Sequence, residues 1–299
     1  MGEGQRPPSG HGWRQDMPYV KRTVRCGRIT EIKKMYTGRV HTVGASRGAV
    51  SGSLTDRQRR CNDRRRADTL RWLINANFGE GDIHITLHYY DKSVTLDQAE
   101  ADRKAFLSAL KKRLIKTDMP WKYVAVTETK RMTNVHHHIL LPPVELTVLT
   151  SVWREVLGDR GGNVSVKPLD DRADHRKLAK YLLKESKSTV KRWAEAGKPR
   201  YKRYTAAQGM VRPTPEYEIV MAGNWAKEPR APKGWALLKD EDSGEFVRQG
   251  IHDVTGYAWQ EYTLINTDGT YKEVRRKVGR HNKGGRGRSD REPGAAAAV

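Results

Sequence analysis

Between residues 82 and 90 the chain alternates strictly. Ile83, Ile85, Leu87 and Tyr89 form one set; His84, Thr86 and His88 form the other. A period of two predicts a strand buried on one face only. The period then changes. Leu96, Ala99, Phe106, Leu107, Leu110 and Leu114 recur at helical spacing. Thr95 stands ahead of them as an N-cap, with Gln98 three residues on to complete a capping box, and the helix ends before Pro120. Trp121 to Thr129 reads as a second strand around Tyr123-Val124-Ala125-Val126. A polar, turn-like stretch follows to Asn134. A third strand runs through His136-His137-His138-Ile139-Leu140-Leu141 and is stopped by Pro142-Pro143. Leu146, Leu149, Trp153, Val156 and Leu157 give a second amphipathic helix over Glu145 to Leu157, ended by Gly158 and Gly161-Gly162. Asn163 to Val166 is a fourth strand.

The order is β-α-β-β-α-β, the split ferredoxin- or RRM-like plan of an α+β protein. Its two helices are expected on one face of an antiparallel sheet, with the other face free. Outside this unit, Thr55 to Ala76 is helix-like, with Thr55 as N-cap and an apolar patch at Leu70, Leu73 and Ile74. Asp174 to Ser186 is an added helix with Leu178, Ala179, Leu182 and Leu183 as its core stripe. Tyr217 to Met221 is expected to close the domain with one more strand. Pro18 to Ile32 reads as either a strand or a basic arm, and Gly44 to Ser53 as a loop of small residues. Short strands at Phe246 to Ile251 and Tyr257 to Ile265 suggest a small β-rich C-terminal extension. The resulting division is a flexible basic arm over 1–53, a main domain over 54–222, a β-rich appendage over 223–274 and a basic, disordered tail over 275–299.

Composition narrows the partners. The 299 residues carry a formal net charge of +22, and the pI is about 10.0. Strongly basic proteins of this kind meet polyanions. No apolar stretch approaches the length of a membrane span, and no signal peptide is visible. Cys26 and Cys61 are far apart and no Cys-x-x-Cys occurs, which argues against a disulfide scaffold or a structural zinc site and suits a reducing, cytoplasmic setting. The helix over Thr55 to Ala76 carries Arg57, Arg59, Arg60, Arg64, Arg65, Arg66 and Arg71 with few acids among them. Such a face repels itself unless phosphates offset it.

Chemistry gathers on the third strand. Parity puts His136 and His138 on one face, a pair of neutral imidazoles suited to a divalent ion, and sends His137 to the other. If the hairpin turns about Met132, Glu128 stands opposite His136 on the same face and adds a carboxylate. On the later helix, Tyr181 and Lys184 lie at i and i+3, with Lys177 one turn earlier. Ammonium groups around an exposed phenol favour its anion, a nucleophile suited to phosphorus beside a cation.

Taken together, His84-Ile85-Thr86-Leu87-His88-Tyr89, His136-His137-His138 and Tyr181-Leu182-Leu183-Lys184 resemble the motifs of the HUH endonuclease superfamily. Within it they resemble rolling-circle replication initiators (Rep type) with a single catalytic tyrosine, because the tyrosine follows the histidines. The one departure is His137, where the family usually has an aliphatic residue. The resemblance implies Mg2+ or Mn2+ held by Glu128, His136 and His138. It implies attack by Tyr181 on a scissile phosphate, a 5′-phosphotyrosine link, a freed 3′-hydroxyl, and Lys184 as a stabiliser of charge. DNA contacts are then expected at Arg57, Arg60, Arg64, Arg65, His84, Thr86, His88 and Lys177. Single-stranded and origin DNA would be the substrates. No Gly-x-x-x-x-Gly-Lys-Ser/Thr loop occurs, so a helicase, like the polymerase, would come from a bacterial host of a plasmid, phage or related mobile element. Two alternatives remain at this point. One is a transposase or single-strand recombinase of the same superfamily. The other is a non-catalytic RRM-like module, which the histidines, in place of aromatic residues on the open face, speak against.

Overall fold

The alternating and helical periods become strands and helices close to their expected places. The computed structural model describes residues 18–36, 55–117, 119–129, 134–171, 174–198, 201–252 and 256–269. The expectations for residues 44–53 and for the tail over 275–299 lie outside them. In chain order the elements are β1 (Tyr19–Cys26), β2 (Ile29–Met35), α1 (Asp56–Asn77), β3 (Ile83–Tyr89), α2 (Leu96–Leu114), β4 (Val124–Glu128), β5 (His136–Leu141), α3 (Leu146–Leu157), β6 (Gly162–Pro168), α4 (Arg176–Glu195), β7 (Thr205–Ala206), β8 (Glu216–Val220), β9 (Trp235–Leu238), β10 (Val247–Ile251) and β11 (Ala258–Asn266). Among the described residues these make two antiparallel sheets and four α-helices, an α+β architecture. No helix among the described residues is long and apolar enough to cross a membrane.

The first sheet has the order β6-β3-β5-β4-β7. One face carries Ile83, Ile85, Leu87, Ala125, Ile139 and Leu141, which pack with Phe106 and Leu110 of α2 and Leu149 and Trp153 of α3. Trp153 is fully buried, and its indole N–H donates to the carbonyl of His88 at 3.0 Å. Each such buried apolar side chain contributes about 1.5–3 kcal/mol, so this layer fixes the sheet.

The opposite face is not free along its whole length, as the sequence pattern suggested. Val124, Val126 and Leu140 of that face pack with Leu70, Leu73 and Ile74 of α1 and Ala179, Leu182 and Leu183 of α4. Among the described residues the end bearing the histidines stays open, as does the β6 edge, where Ser165 and Lys167 are exposed. α4 also runs well past Ser186, where its apolar stripe weakens. Thr189 explains this: it is buried, and its hydroxyl donates to the carbonyl of Thr127 at 2.6 Å. Trp193, buried a turn later, stacks on Tyr201 with ring centroids 5.0 Å apart. At the helix starts, Thr55 has the full reciprocal capping box with Gln58. At Thr95 only the backbone half forms, because the Gln98 side chain turns to Asp102 at 2.8 Å.

The second sheet has the order β10-β11-β2-β1-β8, with β9 on β11. Of the two readings for Pro18 to Ile32, the strand is what forms. This segment, assigned above to an arm, supplies a hairpin at the middle of a sheet. The strand near Tyr217 joins this second sheet beside β1, and it is Thr205–Ala206 that closes the first. The hairpin turn at Gly27 has a positive φ of 61°, and a Cβ there would come within 2.3 Å of the Asn75 carbonyl, so only glycine lets it lie against α1.

Arg71 also departs from its expected place on an exposed basic face. It is buried and bridges Glu31 of β2 to Asp174 just before α4. Asn75 donates to the same Asp174 at 3.0 Å. Hairpin, α1 and the start of α4 are thereby tied at one point.

Candidate metal centre and tyrosine helix

Strand pairing builds the centre. β4 and β5 are paired with Glu128 opposite His136, and β5 and β3 with His136 opposite His88 and His138 opposite Thr86. Glu128, His136, His138, His84, Thr86 and His88 therefore share a face. The Glu128 carboxylate lies 2.9 Å from His136 Nε2 and 3.3 Å from His138 Nε2. The three potential ligand atoms lie within 4.8 Å of one another.

The hydrogen bonds behind these atoms show what they suit. His136 Nδ1 is 3.0 Å from the carbonyl of Asn134, which can only accept, so Nδ1 holds the proton. The lone pair on Nε2 then faces the oxygens of the Glu128 carboxyl group. On the far side of His138, Nδ1 meets His84 Nε2 at 3.3 Å and Thr86 Oγ1 at 3.4 Å. A proton placed there leaves a second lone pair directed at Glu128. Lone pairs converging on a carboxylate repel unless a cation lies among them, and outer hydrogen bonds of this kind orient imidazole ligands. The donor set thus fits a divalent ion and leaves coordination positions over for another ligand.

Burial lowers the pKa of His84, His88, His137 and His138. His84 is pushed down to about 4 by burial, then by His138 and Lys167. His138 is pushed down to about 4 by burial and by His136. His88 is lowered by burial and by His136, on which it stacks at 5.3 Å. His137, fully buried as parity required, finds its partners in Tyr89 Oη and Thr127 Oγ1, each at 2.9 Å, and burial holds it well below the ordinary range. In the unfolded chain these rings protonate near 6.5, whereas the native protein refuses the proton until well below that. Their stabilisation is therefore complete above about pH 6.5 and is lost as pH falls toward 4. In EDTA, the Tm is expected to drop between about pH 6.5 and 5, above the carboxylate range. A flat profile across that window would show that the rings are not held neutral.

α4 brings Tyr181 over the same face. Its hydroxyl lies 3.3 Å from His138 Nε2, and the side chain is 41% exposed, open enough for a polymer to reach. The electrostatics differ from the sequence expectation. Partial burial raises the Tyr181 pKa, and Glu185 and Glu128 raise it further. The nearby lysines do not offset this: the Lys177 ammonium sits 3.5 Å from Glu241. Glu185 is the residue the sequence reading missed, although its place one turn after Tyr181 could have flagged it. Burial and the neighbouring Glu128 carboxylate raise its pKa. Lys184 is exposed, and its charge acts on Glu185.

Other candidates lie elsewhere. Tyr201 donates to Glu100 at 2.7 Å, and burial helps push its pKa up to about 12. Tyr204 packs in the second core. His175 is buried beside Asn75, whose side chain accepts from its backbone N–H at 3.0 Å. Arg57, Arg60, Arg64 and Arg65 are exposed on the first half of α1. Beside Tyr181 a cleft of about 360 Å³ opens, lined by His84, Thr86, Ser165, Lys167, Lys177 and Leu178.

Residues 82–188, which hold every element of this centre, match the family model described as replication-associated protein ORF2/G2P. No curated protein and no solved structure matches the chain.

Proposed function

We propose that this chain, whose residues 82–188 form a HUH-type replication-associated domain, initiates rolling-circle replication by nicking and rejoining single-stranded DNA at an origin. The observation that carries the reading is the placing of the Tyr181 hydroxyl 3.3 Å from His138, itself part of the three-ligand cluster. We read the strand order β6-β3-β5-β4, with α2 and α3 on one face, as the split β-α-β-β-α-β plan. The nicking unit is taken as 54–222, with β8 lent to the second sheet.

In this reading Glu128, His136 and His138 hold Mg2+ or Mn2+. When bound, the ion polarises the scissile phosphate and offsets the carboxylates that disfavour the Tyr181 anion. Tyr181 Oη bonds to phosphorus as the bond from phosphorus to the 3′ oxygen breaks. The 5′ end stays on the tyrosine and the 3′-hydroxyl is freed to prime synthesis. The phenolic proton leaves to water at the exposed Tyr181 hydroxyl, and the departing 3′ oxygen takes a proton from water in its turn. Lys184 stabilises charge on the phosphate oxygens. The ester energy is retained in the phosphotyrosine, so rejoining needs no nucleotide triphosphate. Arg57, Arg60, Arg64, Arg65 and the face of His84, Thr86 and His88 contact the DNA, and a host helicase opens it.

The test is a denaturant-stable protein–DNA adduct on single-stranded oligonucleotides spanning the origin of the element that encodes the protein, in Mn2+ and in EDTA. Adduct is expected in Mn2+ alone. His136→Ala is expected to lower it roughly 100-fold or more while leaving salt-sensitive DNA binding, since phosphate contacts come from Arg and Lys elsewhere. Equal adduct in EDTA would remove the metal from the reaction.

A further inference from the structure

α4 carries more lysine than its core packing needs. Lys177, Lys180, Lys184, Lys187 and Lys191 recur at intervals of three and four residues, so they form one row beside Tyr181. Successive members are about 5 Å apart along the axis. All five are exposed, and Lys177 also lines the cleft next to Tyr181. The last two positions have only loose pairs: Lys187 is 4.0 Å from Asp63 and Lys191 is 3.8 Å from Glu195.

The first two positions are different. The loop between β9 and β10 carries Asp240-Glu241-Asp242 and docks on the start of α4. Arg176 meets Asp240 at 3.5 Å, Lys177 meets Glu241 at 3.5 Å, and Lys180 meets Asp242. The loop is held in shape for this contact. Asp240 Oδ1 accepts the backbone N–H groups of Asp242 and Ser243 at 2.9 and 3.0 Å. Arg248 pins the other oxygen at 3.4 Å. The backbone closes from Gly244 N–H to the Asp240 carbonyl at 2.8 Å, with Gly244 at a φ of 73°. Three acids are thus presented to three consecutive cations of the tyrosine helix, at the mouth of the cleft.

We infer that the lysine row of α4 is the track for the DNA backbone leaving the Tyr181 cleft, and that the loop at 240–242 occupies its first two lysines as an internal substitute for phosphate. Single-stranded DNA must displace Glu241 and Asp242 to engage Lys177 and Lys180. Exposed ion pairs of this kind are weak and screened by salt, so the loop tunes entry and does not block it. The inference rests on the reading that DNA lies across this face, and the wild-type adduct assay tests that reading separately.

The experiment measures binding of a labelled oligothymidylate to the full chain in EDTA. Four proteins are compared: wild type, Glu241→Gln/Asp242→Asn, Lys177→Gln/Lys180→Gln, and the variant carrying all four changes. Asp240 is left intact so that the loop keeps its anchor, and unchanged Tm values check this. Neutralising the two acids is expected to tighten binding roughly three- to tenfold. On the lysine-neutralised background the same change is expected to do nothing. No tightening in the first comparison overturns the inference. So does equal tightening on both backgrounds, because that would be the effect of net charge alone. Wild-type protein that forms the adduct while either of these results is obtained would leave the nicking reading standing and the loop without this role.

Discussion

Tyr181→Phe is expected to bind single-stranded DNA and divalent metal as the wild type does and to form no covalent adduct. The substitution deletes one oxygen from a ring that already sits against its neighbours. Among the described residues that oxygen's hydrogen-bond partner is His138 Nε2 at 3.3 Å, a lone pair that a bound ion takes up, so in the metal-loaded protein its loss strands no buried group. The effect therefore falls on chemistry, with loss of adduct by roughly 1000-fold or more, as for removal of a covalent nucleophile. The outcome that would move the assignment is adduct surviving in Tyr181→Phe. Tyr201 would not then be the natural replacement, since it is hydrogen-bonded to Glu100 and stacked on Trp193. The phenol's own position also sets an expectation for metal. Partial burial, Glu185 and Glu128 all raise its pKa. Cleavage should consequently rise with pH in a way that depends on the ion present, because only added positive charge offsets two carboxylates.

What the sequence revealed and what it hid divide along the distance between partners. The register of Glu128 against His136 follows from parity and one short turn, and it stands as expected. The buried face of β3 follows from its alternation. His137 was placed correctly in the core, but its partners Tyr89 and Thr127 come from two neighbouring strands that no local pattern links to it. Tyr181 was read by its own helix, where Lys177 and Lys184 are close in sequence. The carboxylate that outweighs them comes partly from Glu128 on another strand, and Lys177 is already engaged by a loop from the second sheet. The length of α4 was hidden because Ser186, Lys187, Ser188 and Thr189 look like an exposed ending. Thr189 stays buried through one hydrogen bond to a distant carbonyl. The second sheet was hardest of all, since β1 and β2 pair with strands near the other end of the chain.

The buried charges behind α4 carry the largest expected effect on stability. Glu31 is 2% exposed and accepts from Arg71, from Arg22 at 2.5 Å and from the Trp72 indole at 3.5 Å. Arg71 is 3% exposed and passes on to Asp174 at 3.2 Å. In sequence these residues look like ordinary surface charges; in the fold they are the joint between the hairpin, α1 and the helix that bears Tyr181. Removing one partner from such a joint leaves an uncompensated charge in a dry place. Glu31→Ala is therefore expected to cost about 3–5 kcal/mol in urea unfolding. Glu31→Met/Arg71→Met removes the most buried pair and keeps the volume; Asp174 retains Arg176 at 3.5 Å and Asn75 at 3.0 Å, and Arg22 is the more exposed partner, so part of that loss should return. Recovery in the double variant distinguishes this from simple loss of packing, which two substitutions would deepen. A cost below about 1 kcal/mol for Glu31→Ala would mean that water reaches the joint and that the charges are solvated there. Because Asp174 immediately precedes α4, the same single variant should also weaken adduct formation under conditions where the protein is still folded. The expected outcome is that the hairpin far upstream changes adduct formation by altering how α4 carries Tyr181 toward the histidine face.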